Sequence, residues 1–312
     1  MAHLFSPITI ARTRLPNRIV MAPLPGGYAT LDGFVDDALL EYYARFARGG
    51  VGLILTEPIR VVPPVPEETR AHIGLYADAF VPRLRRMVQV VHEHPTRIFA
   101  LLDAPAELAR SEPPALRTLA EQFILAAWRA MAAGFDGVML SAVDGGALHA
   151  LISPLLNRRY DAYGKTLDGR LLLPLVIIEG IRGWLRSRLA IGFRLVADEL
   201  TAGGMTLQDA RMVASRVVGA GVQVIDVVAD LTHQRHVARF PGWCVPLASG
   251  IKRVLPDIPV IGSGLLGEPY LADSVVRDGS IDLVMIGHTL LHNPEWPRLA
   301  RSFLLPEGGE AW

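Results

Sequence analysis

The sequence predicts a single α/β domain, a (β/α)8 or TIM barrel over residues 1–312, on three observations. Eight short apolar runs rich in β-branched residues recur along the chain, and a longer stretch with helical spacing follows each. Eight strands alternating with helices in a chain of 312 residues are typical of a closed parallel barrel. No linker, charge run or repeat divides the chain. A doubly wound sheet fits less well, because it usually has fewer strands and a glycine-rich turn after the first.

The predicted strands are apolar runs bounded by turn-forming residues. In order they are 18–23 (RIVMAP), 52–57 (GLILTE), 97–103 (RIFALLD), 137–142 (GVMLSA), 190–196 (AIGFRLV), 224–229 (VIDVVA), 259–264 (PVIGSG) and 283–288 (LVMIGH). Helices are predicted between them, for example at 37–48, 116–133, 207–219 and 268–277. Several of these helices end at a glycine, as helix C-caps often do. The C-terminal strand ends are the place where a barrel carries its chemistry, so the residues there are the candidate site.

Charge and cysteine content narrow the class of protein. Thirty-one basic residues balance 31 acidic ones, so no net charge attracts nucleic acid or an anionic membrane. The single cysteine, Cys244, permits neither an internal disulfide nor an iron–sulfur cluster, which needs about four thiolates. No apolar run reaches the roughly 18 residues of a membrane span, and the N-terminus lacks the pattern of a secretion signal. We expect a cytoplasmic protein that acts on a small molecule, without nucleic-acid or membrane partners, and a homo-oligomer stays open.

Ordered segments along nearly the whole chain resemble one family. They include "LFSPITIARTRLPNRIVMAPL", "LLEYYARFARGGVGLILTE", "SPLLNRRYDAYGKTLDGR" and "DLVMIGHTLLHNPEWP". The chain is similar in these segments to the Old Yellow Enzyme family of FMN-dependent oxidoreductases. The resemblance implies an FMN cofactor lying across the barrel mouth, with NADH or NADPH as the reductant.

The resemblance also implies which residues contact the flavin. They are Pro23, Leu24, Pro25 and Pro58 beside the ring, Leu101 and Arg194 at its pyrimidine edge, and Gly264, Leu265, Gly287 and His288 at the phosphate. An arginine near flavin N1 would stabilise the reduced flavin by on the order of 4 kcal/mol, for charges about 4 Å apart at an effective dielectric of about 20. The alternative role for Arg194 is a structural ion pair inside the barrel.

The fourth strand end departs from the family pattern. The family usually has a histidine and, three residues later, a histidine or asparagine, which donate hydrogen bonds to the substrate oxygen; here they are Ser141 and Asp144. A tyrosine two residues further usually protonates the substrate, and here it is Gly146. An ionised aspartate accepts hydrogen bonds and repels an oxyanion, so Asp144 cannot donate a hydrogen bond to the substrate oxygen unless it is protonated. Tyr28 would replace the proton donor if its loop folds over the flavin.

Three flavin contacts differ as well. The resemblance aligns Pro25 with a threonine or cysteine that tunes the flavin, Leu101 with a glutamine, and His288 with a phosphate-binding arginine. Each change removes a donor or weakens a charge. The segment after the third strand, "DAPAELARSEPPALRTL", is shorter than the family's usual loop over the active site, which indicates a more open barrel mouth.

The residues leave several roles open. Ser141 and Asp144 are candidate catalytic residues with Tyr28, but Asp144 is also consistent with a site for a cationic ligand, a protonated acid or a simple loop residue. Asp103 is predicted to pair with a nearby arginine in preference to a cationic substrate, and no metal site is predicted. Two functions follow: an FMN-dependent oxidoreductase with non-standard substrate chemistry, or a barrel that has lost flavin catalysis and serves as a binding or partner subunit or in a non-redox step.

Overall fold

The computed structural model describes residues 2–24, 29–64, 71–185, 188–232 and 239–305. Its strands are β1 (Ile8–Ile10), β2 (Thr13–Leu15), β3 (Ile19–Met21), β4 (Leu53–Arg60), β5 (Ile73–Gly74), β6 (Arg97–Asp103), β7 (Gly137–Ala142), β8 (Ala190–Asp198), β9 (Val224–Ala229), β10 (Val260–Gly262) and β11 (Leu283–Ile286). Its helices are α1 (Asp37–Gly49), α2 (Val81–His92), α3 (Pro113–Ala133), α4 (Ala147–Ile152), α5 (Leu167–Leu185), α6 (Leu207–Ala220), α7 (Val245–Lys252), α8 (Pro269–Arg277), α9 (His288–His292) and α10 (Trp296–Leu304). Short 3-10 helices lie at Asp78–Phe80 and Ala106–Arg110.

Eight parallel strands close into a barrel. The sheet runs β3, β11, β10, β9, β8, β7, β6 and β4, and β3 also pairs with β4, which closes the ring. Each barrel strand corresponds to one of the predicted runs, so the prediction of a (β/α)8 barrel is confirmed. The short β5 adds to the C-terminal end of β4.

Two strands continue further than the sequence suggests, β4 by three residues and β8, predicted to end at Val196, by two. The second barrel strand was expected to end at Glu57, but β4 extends to Arg60 after an irregularity between Leu55 and Pro58. Proline is tolerated at such an irregularity because the ladder is already interrupted there. Pairing resumes beyond it, and Arg60 faces Asp103 of β6 in register. The prediction that Pro58 follows the strand is therefore wrong, and the extension adds an arginine to the mouth.

The barrel interior is filled at one end and open at the other. Side chains inside it come from every barrel strand, among them Val20, Leu53, Leu55, Phe99, Leu101, Met139, Val224, Ile261, Leu283 and Met285. The antiparallel hairpin of β1 and β2 packs Ile10 and Leu15 against this cluster. The hairpin thus covers the N-terminal end of the barrel, and the accessible mouth lies at the C-terminal strand ends.

Local signals place the helix ends as expected. Asp36 caps α1 by accepting a hydrogen bond from the Leu39 N–H at 2.8 Å, and the helix stops at Gly50, whose φ is +92°. The α6 helix begins with a reciprocal Thr206 and Asp209 capping box. In the part of the chain that the structure describes, no helix combines the length and apolar character required to cross a bilayer.

Candidate active site

Two adjoining cavities occupy the barrel mouth. The first, here called the acidic cavity, measures about 290 Å³ and is lined at the ends of β4, β6 and β7 by Pro23, Pro58, Arg60, Leu101, Asp103, Ser141 and Asp144, among others. The second, here called the arginine cavity, measures about 230 Å³ and is lined by Leu24, Arg194, Gly264, Leu265, Gly287 and His288, among others. The structure therefore divides the predicted site residues between two neighbouring spaces. Pro25 and Tyr28 lie outside the described residues.

An ion pair shapes the acidic cavity. Arg60 of β4 and Asp103 of β6 are register partners, and the Arg60 guanidinium donates a hydrogen bond to the Asp103 carboxylate. Only 13% of the Arg60 side chain and 12% of the Asp103 side chain are exposed. The prediction that Asp103 pairs with an arginine is confirmed. Sequence reasoning missed Arg60, because the strand was taken to end three residues before it.

Burial dominates the acidity of Asp103. Burial raises the pKa of Asp103 to about 6, although Arg60 and hydrogen bonds from Ser141 and the Ala104 backbone lower it. The nearby charge of Asp144 adds to the rise. Asp103 therefore holds its proton to a higher pH than an ordinary aspartate, and Ser141 serves it as a hydrogen-bond donor.

Gly146 gives this carboxylate its room. A Cβ atom at position 146 would lie 2.5 Å from Oδ1 of Asp103, closer than real Cβ contacts come. The backbone itself does not require glycine there, since φ of Gly146 is −59°. Space for Asp103 therefore explains the missing side chain at this position.

Asp144 lies on an exposed, constrained turn. Its φ is +53°, in the left-handed region that aspartate tolerates better than most residues, and Gly145 follows with φ of +73°. The turn is held by the Gly145 N–H, which donates to Nδ1 of His149 at 3.0 Å. Because Asp144 is exposed, the burial that a protonated-acid role requires is found at Asp103 instead.

His149 links this turn to Glu199 in the interior. Nδ1 of His149 accepts from Gly145, so Nε2 carries the proton and donates to Oε1 of Glu199 at 3.0 Å. Burial raises the pKa of Glu199, but hydrogen bonds from His149, Ser153 and the Met205 N–H outweigh it and lower the pKa. Asp230 approaches the same atoms, within 4.8 Å. With both ring nitrogens occupied, this cluster works as a support for the loop and offers a metal ion no free imidazole lone pair.

A second cross-strand ion pair lies in the arginine cavity. Arg194 of β8 and Asp226 of β9 are register partners, and the Arg194 guanidinium donates to the Asp226 carboxylate, which is 0% exposed. Burial raises the pKa of Asp226, Arg194 lowers it, and Asp144 adds to the rise. The ion-pair alternative for Arg194 is thus present, and Asp226 was not anticipated from the sequence. Within the described residues, Nε of Arg194 and Oδ1 of Asp226 have no hydrogen-bond partner.

The arginine cavity fits the pyrimidine and phosphate edge of FMN. A Cβ atom at Gly287 would meet ordinary van der Waals contacts, with Cβ of Ala22 at 3.5 Å and Cδ2 of Leu24 at 3.8 Å, and no clash. Protein packing therefore leaves this glycine free, as close approach by a phosphate would need. Gly264 is less informative, because its φ of +118° and the Cys244 backbone at 2.8 Å from its Cβ position already demand glycine. The buried Nε of Arg194 is a donor that a flavin carbonyl could satisfy.

Comparison with known proteins identifies the family. The sequence pattern of the NADH:flavin oxidoreductase / NADH oxidase family matches residues 3–117 and 115–305. The chain belongs to this family. The Old Yellow Enzyme resemblance is confirmed, and this family uses FMN with NADH or NADPH as the reductant.

Two curated relatives and a solved structure illustrate the similarity within the NADH:flavin oxidoreductase family. An NADH oxidase from Thermoanaerobacter brockii is 32% identical over 96% of this chain and 50% of its own length. An NADPH dehydrogenase from Geobacillus is 32% identical over 95% of this chain and 93% of its own. The chain thus spans about half the length of the first two curated relatives that it matches. Morphinone reductase has the same fold, with a TM-score of 0.79 and 21% identity over 99% of this chain and 94% of its own.

Proposed function

We propose that the protein is an FMN-dependent oxidoreductase whose substrate is a small nitrogen cation, an amine or the iminium ion related to it by loss of hydride. The observation that carries this proposal is the charge of the acidic cavity. Asp103, Asp144 and Glu107 line it against a single arginine, Arg60, which Asp103 already engages. Such a cavity attracts cations and repels anions.

The hydrogen-bonding groups of the acidic cavity support the same assignment. A carbonyl substrate gains negative charge at its oxygen as hydride arrives, and needs donors to stabilise it. Among the described residues that line the cavity, the neutral side-chain donor is Ser141, and its hydroxyl is engaged with Asp103. An iminium ion needs no such donors, because hydride addition removes its positive charge. Carboxylates beside it stabilise the ion and tolerate the neutral product.

The arginine cavity would hold the cofactor's pyrimidine and phosphate edge through Arg194, Gly287 and His288. Bound FMN would supply hydride transfer between NADH or NADPH and the substrate. Asp226 keeps Arg194 in place, and it also offsets part of the arginine's positive charge. Pro23 and Leu101 line the acidic cavity and Leu24 lines the arginine cavity, so these three side chains would lie beside the bound flavin.

The test compares two substrates of similar size. With NADH or NADPH as reductant, the flavin-loaded protein should reduce 2-methyl-1-pyrroline, which is cationic when protonated, at least about 100-fold faster than cyclohexenone. Loss of one oxyanion donor alone typically costs about 2.7 to 4 kcal/mol. Faster reduction of cyclohexenone would overturn the proposal. Protein that purifies colourless and does not take up added FMN would instead favour a binding or partner subunit.

Asp144 gives a second, smaller test. Because Asp144 is exposed, its attraction for a cation is screened, on the order of 1 kcal/mol. Asp144→Asn should therefore weaken binding of 2-methylpyrrolidine about 5- to 10-fold, an effect that added salt reduces. Asp257→Asn makes the same change at an exposed position between α7 and β10 and should change nothing. Equal affinities for all three proteins would show that Asp144 is only a loop residue.

A further inference from the structure

We propose that Asp103 is the proton-exchanging carboxyl group of the acidic cavity, the residue that gives a proton to the product amine and takes one from a bound ammonium ion. This inference rests on the proposed function and names a catalytic residue for it. It is carried by geometry, since Asp103 lines the cavity beside Arg60, Ser141 and Gly146.

The position of Asp103 suits a proton carrier. Its carboxylate is anchored on one side by Arg60 and on another by the Ser141 hydroxyl, which restricts its rotation. The space that a side chain at Gly146 would occupy is left to Oδ1. A carboxyl group held in this way presents its oxygen to the same place in every catalytic cycle.

The surroundings of Asp103 suit exchange near neutral pH. The charged groups that face it are Arg60 on β4, which lowers its pKa, and Asp144 after β7, which raises it. Glu107 lines the same cavity, and His72 lies 3.5 Å from the Arg60 guanidinium. A general acid or base is most efficient when its pKa is near the working pH. Asp144 is exposed and lacks such anchoring.

The proton balance is complete. Hydride addition to the carbon of an iminium ion gives a neutral amine, with both electrons derived from NADH or NADPH. The neutral amine no longer lowers the pKa of Asp103 as the iminium ion does, so Asp103 takes up a proton from water through the open cavity. The amine nitrogen then takes this proton from the Asp103 carboxyl group and leaves as an ammonium ion, and Asp103 is again a carboxylate paired with Arg60. In the oxidative direction Asp103 removes the ammonium proton before hydride leaves the carbon.

Proton release on ligand binding tests this assignment without turnover. A cation bound beside Asp103 lowers its pKa, so 2-methylpyrrolidine should release roughly half a proton or more at about pH 5.5 from the flavin-loaded wild type. Calorimetry in buffers of different ionisation enthalpy measures this number. Asp103→Asn should release none. Asp273→Asn is the matched control, because as whole residues Asp273 and Asp103 are both 8% exposed. Asp273 accepts a hydrogen bond from the Leu4 N–H instead of lining the acidic cavity.

Kinetics provide the second measurement. Asp103→Asn should lower kcat about 10²- to 10⁴-fold, should raise KM by a smaller factor because the cation loses a carboxylate beside it, and should remove the inflection near pH 6 from the rate profile. Asp103→Glu should recover part of the rate. If Asp103→Asn does not fold, Gly146→Ala displaces the carboxylate without deleting it and should show the same effects in weaker form.

The outcomes separate the two proposals. Equal proton release by wild type and Asp103→Asn, or a kcat within about 3-fold of wild type, would overturn the role of Asp103. A wild type that releases the proton but reduces no iminium ion would support Asp103 as the exchanging group and overturn the proposed substrate.

Discussion

The acidic cavity and the arginine cavity each have an arginine–aspartate ion pair, and the two pairs differ in burial. Each contains an arginine and an aspartate at register-paired positions of neighbouring strands, Arg60 with Asp103 and Arg194 with Asp226. In the arginine cavity the carboxylate is wholly buried, whereas in the acidic cavity both partners retain some exposure. A buried carboxylate without access to solvent can only hold its arginine. One that borders an open cavity can also exchange a proton.

This difference in burial assigns a structural role to the Arg194–Asp226 pair and the proposed proton exchange to the Arg60–Asp103 pair. Asp226 contacts Arg194 but is not itself among the described residues that line either cavity, whereas Asp103 and Arg60 both line the acidic cavity. The two pairs therefore predict different responses to substitution, to pH and to salt.

Breaking the buried pair should have the largest effect. Arg194→Met leaves Asp226 charged, buried and unpaired, and should lower the free energy of unfolding by about 3 to 5 kcal/mol, with loss of bound flavin. Urea denaturation and flavin absorbance measure the two changes. Arg194→Met combined with Asp226→Leu should recover most of the stability but not the flavin. A loss under about 1 kcal/mol for the single variant would contradict this account.

The pH dependence of stability should come from the Arg60–Asp103 pair, which borders the acidic cavity. The folded state raises the pKa of Asp103 from its usual 3.8 to about 6, so it holds a proton that the unfolded chain releases. This stabilisation is complete below about pH 4 and is lost as the pH rises through about 6, on the order of 3 kcal/mol at about 1.4 kcal/mol per unit. Asp103→Asn should lack this component in urea titrations between about pH 4 and 7. An unchanged slope would place the titration elsewhere.

Breaking the Arg60–Asp103 pair should be milder than breaking the Arg194–Asp226 pair. Arg60→Met should cost about 1 to 3 kcal/mol, because Asp103 can take up a proton and reach water. The loss should grow from about pH 5 to about pH 8, as protonation becomes harder. Equal destabilisation by Arg60→Met and Arg194→Met in parallel urea curves would remove the distinction between the pairs.

Charge at the phosphate end of the arginine cavity should have a smaller effect. His288 is exposed, and a histidine loses its positive charge as pH rises, whereas an arginine keeps it. His288→Arg should tighten FMN binding about 3- to 10-fold, on the order of 1 kcal/mol, and more at about pH 8 than at about pH 6. Fluorescence titration of the flavin-free protein measures this. Flat affinity with pH and no gain from arginine would exclude His288 as a phosphate contact.

The smallest expected effect concerns Ser141. Its hydroxyl donates to Asp103 and favours the ionised form. Ser141→Ala should raise the pKa of Asp103 above about 6 by up to about one unit, with little change in kcat at low pH. Infrared titration of the carboxyl group reports the midpoint. A midpoint that stays in place or falls would show that this hydrogen bond has no influence.

The architecture, the family and the places where site residues could lie follow from the sequence alone. The eight strands were predictable because apolar runs and turn residues are local signals, and the strand ends of a barrel converge on one face. Asp103, Ser141 and Asp144 could be named because each lies at the end of an apolar run or just after it. The likeness of Arg194 and Gly287 to the family motifs indicated the flavin edge.

Which of these residues act together depends on the tertiary structure. Arg60 and Asp103 are 43 positions apart, and Arg194 and Asp226 are 32 apart, so their pairing depends on strand register, which no local pattern encodes. Burial is likewise a property of the closed barrel, and it gave the raised pKa to Asp103 and left Asp144 exposed. The raised pKa of Asp103 is therefore a consequence of packing, because desolvation depends on all the groups around a carboxyl group and not only on its neighbours in sequence.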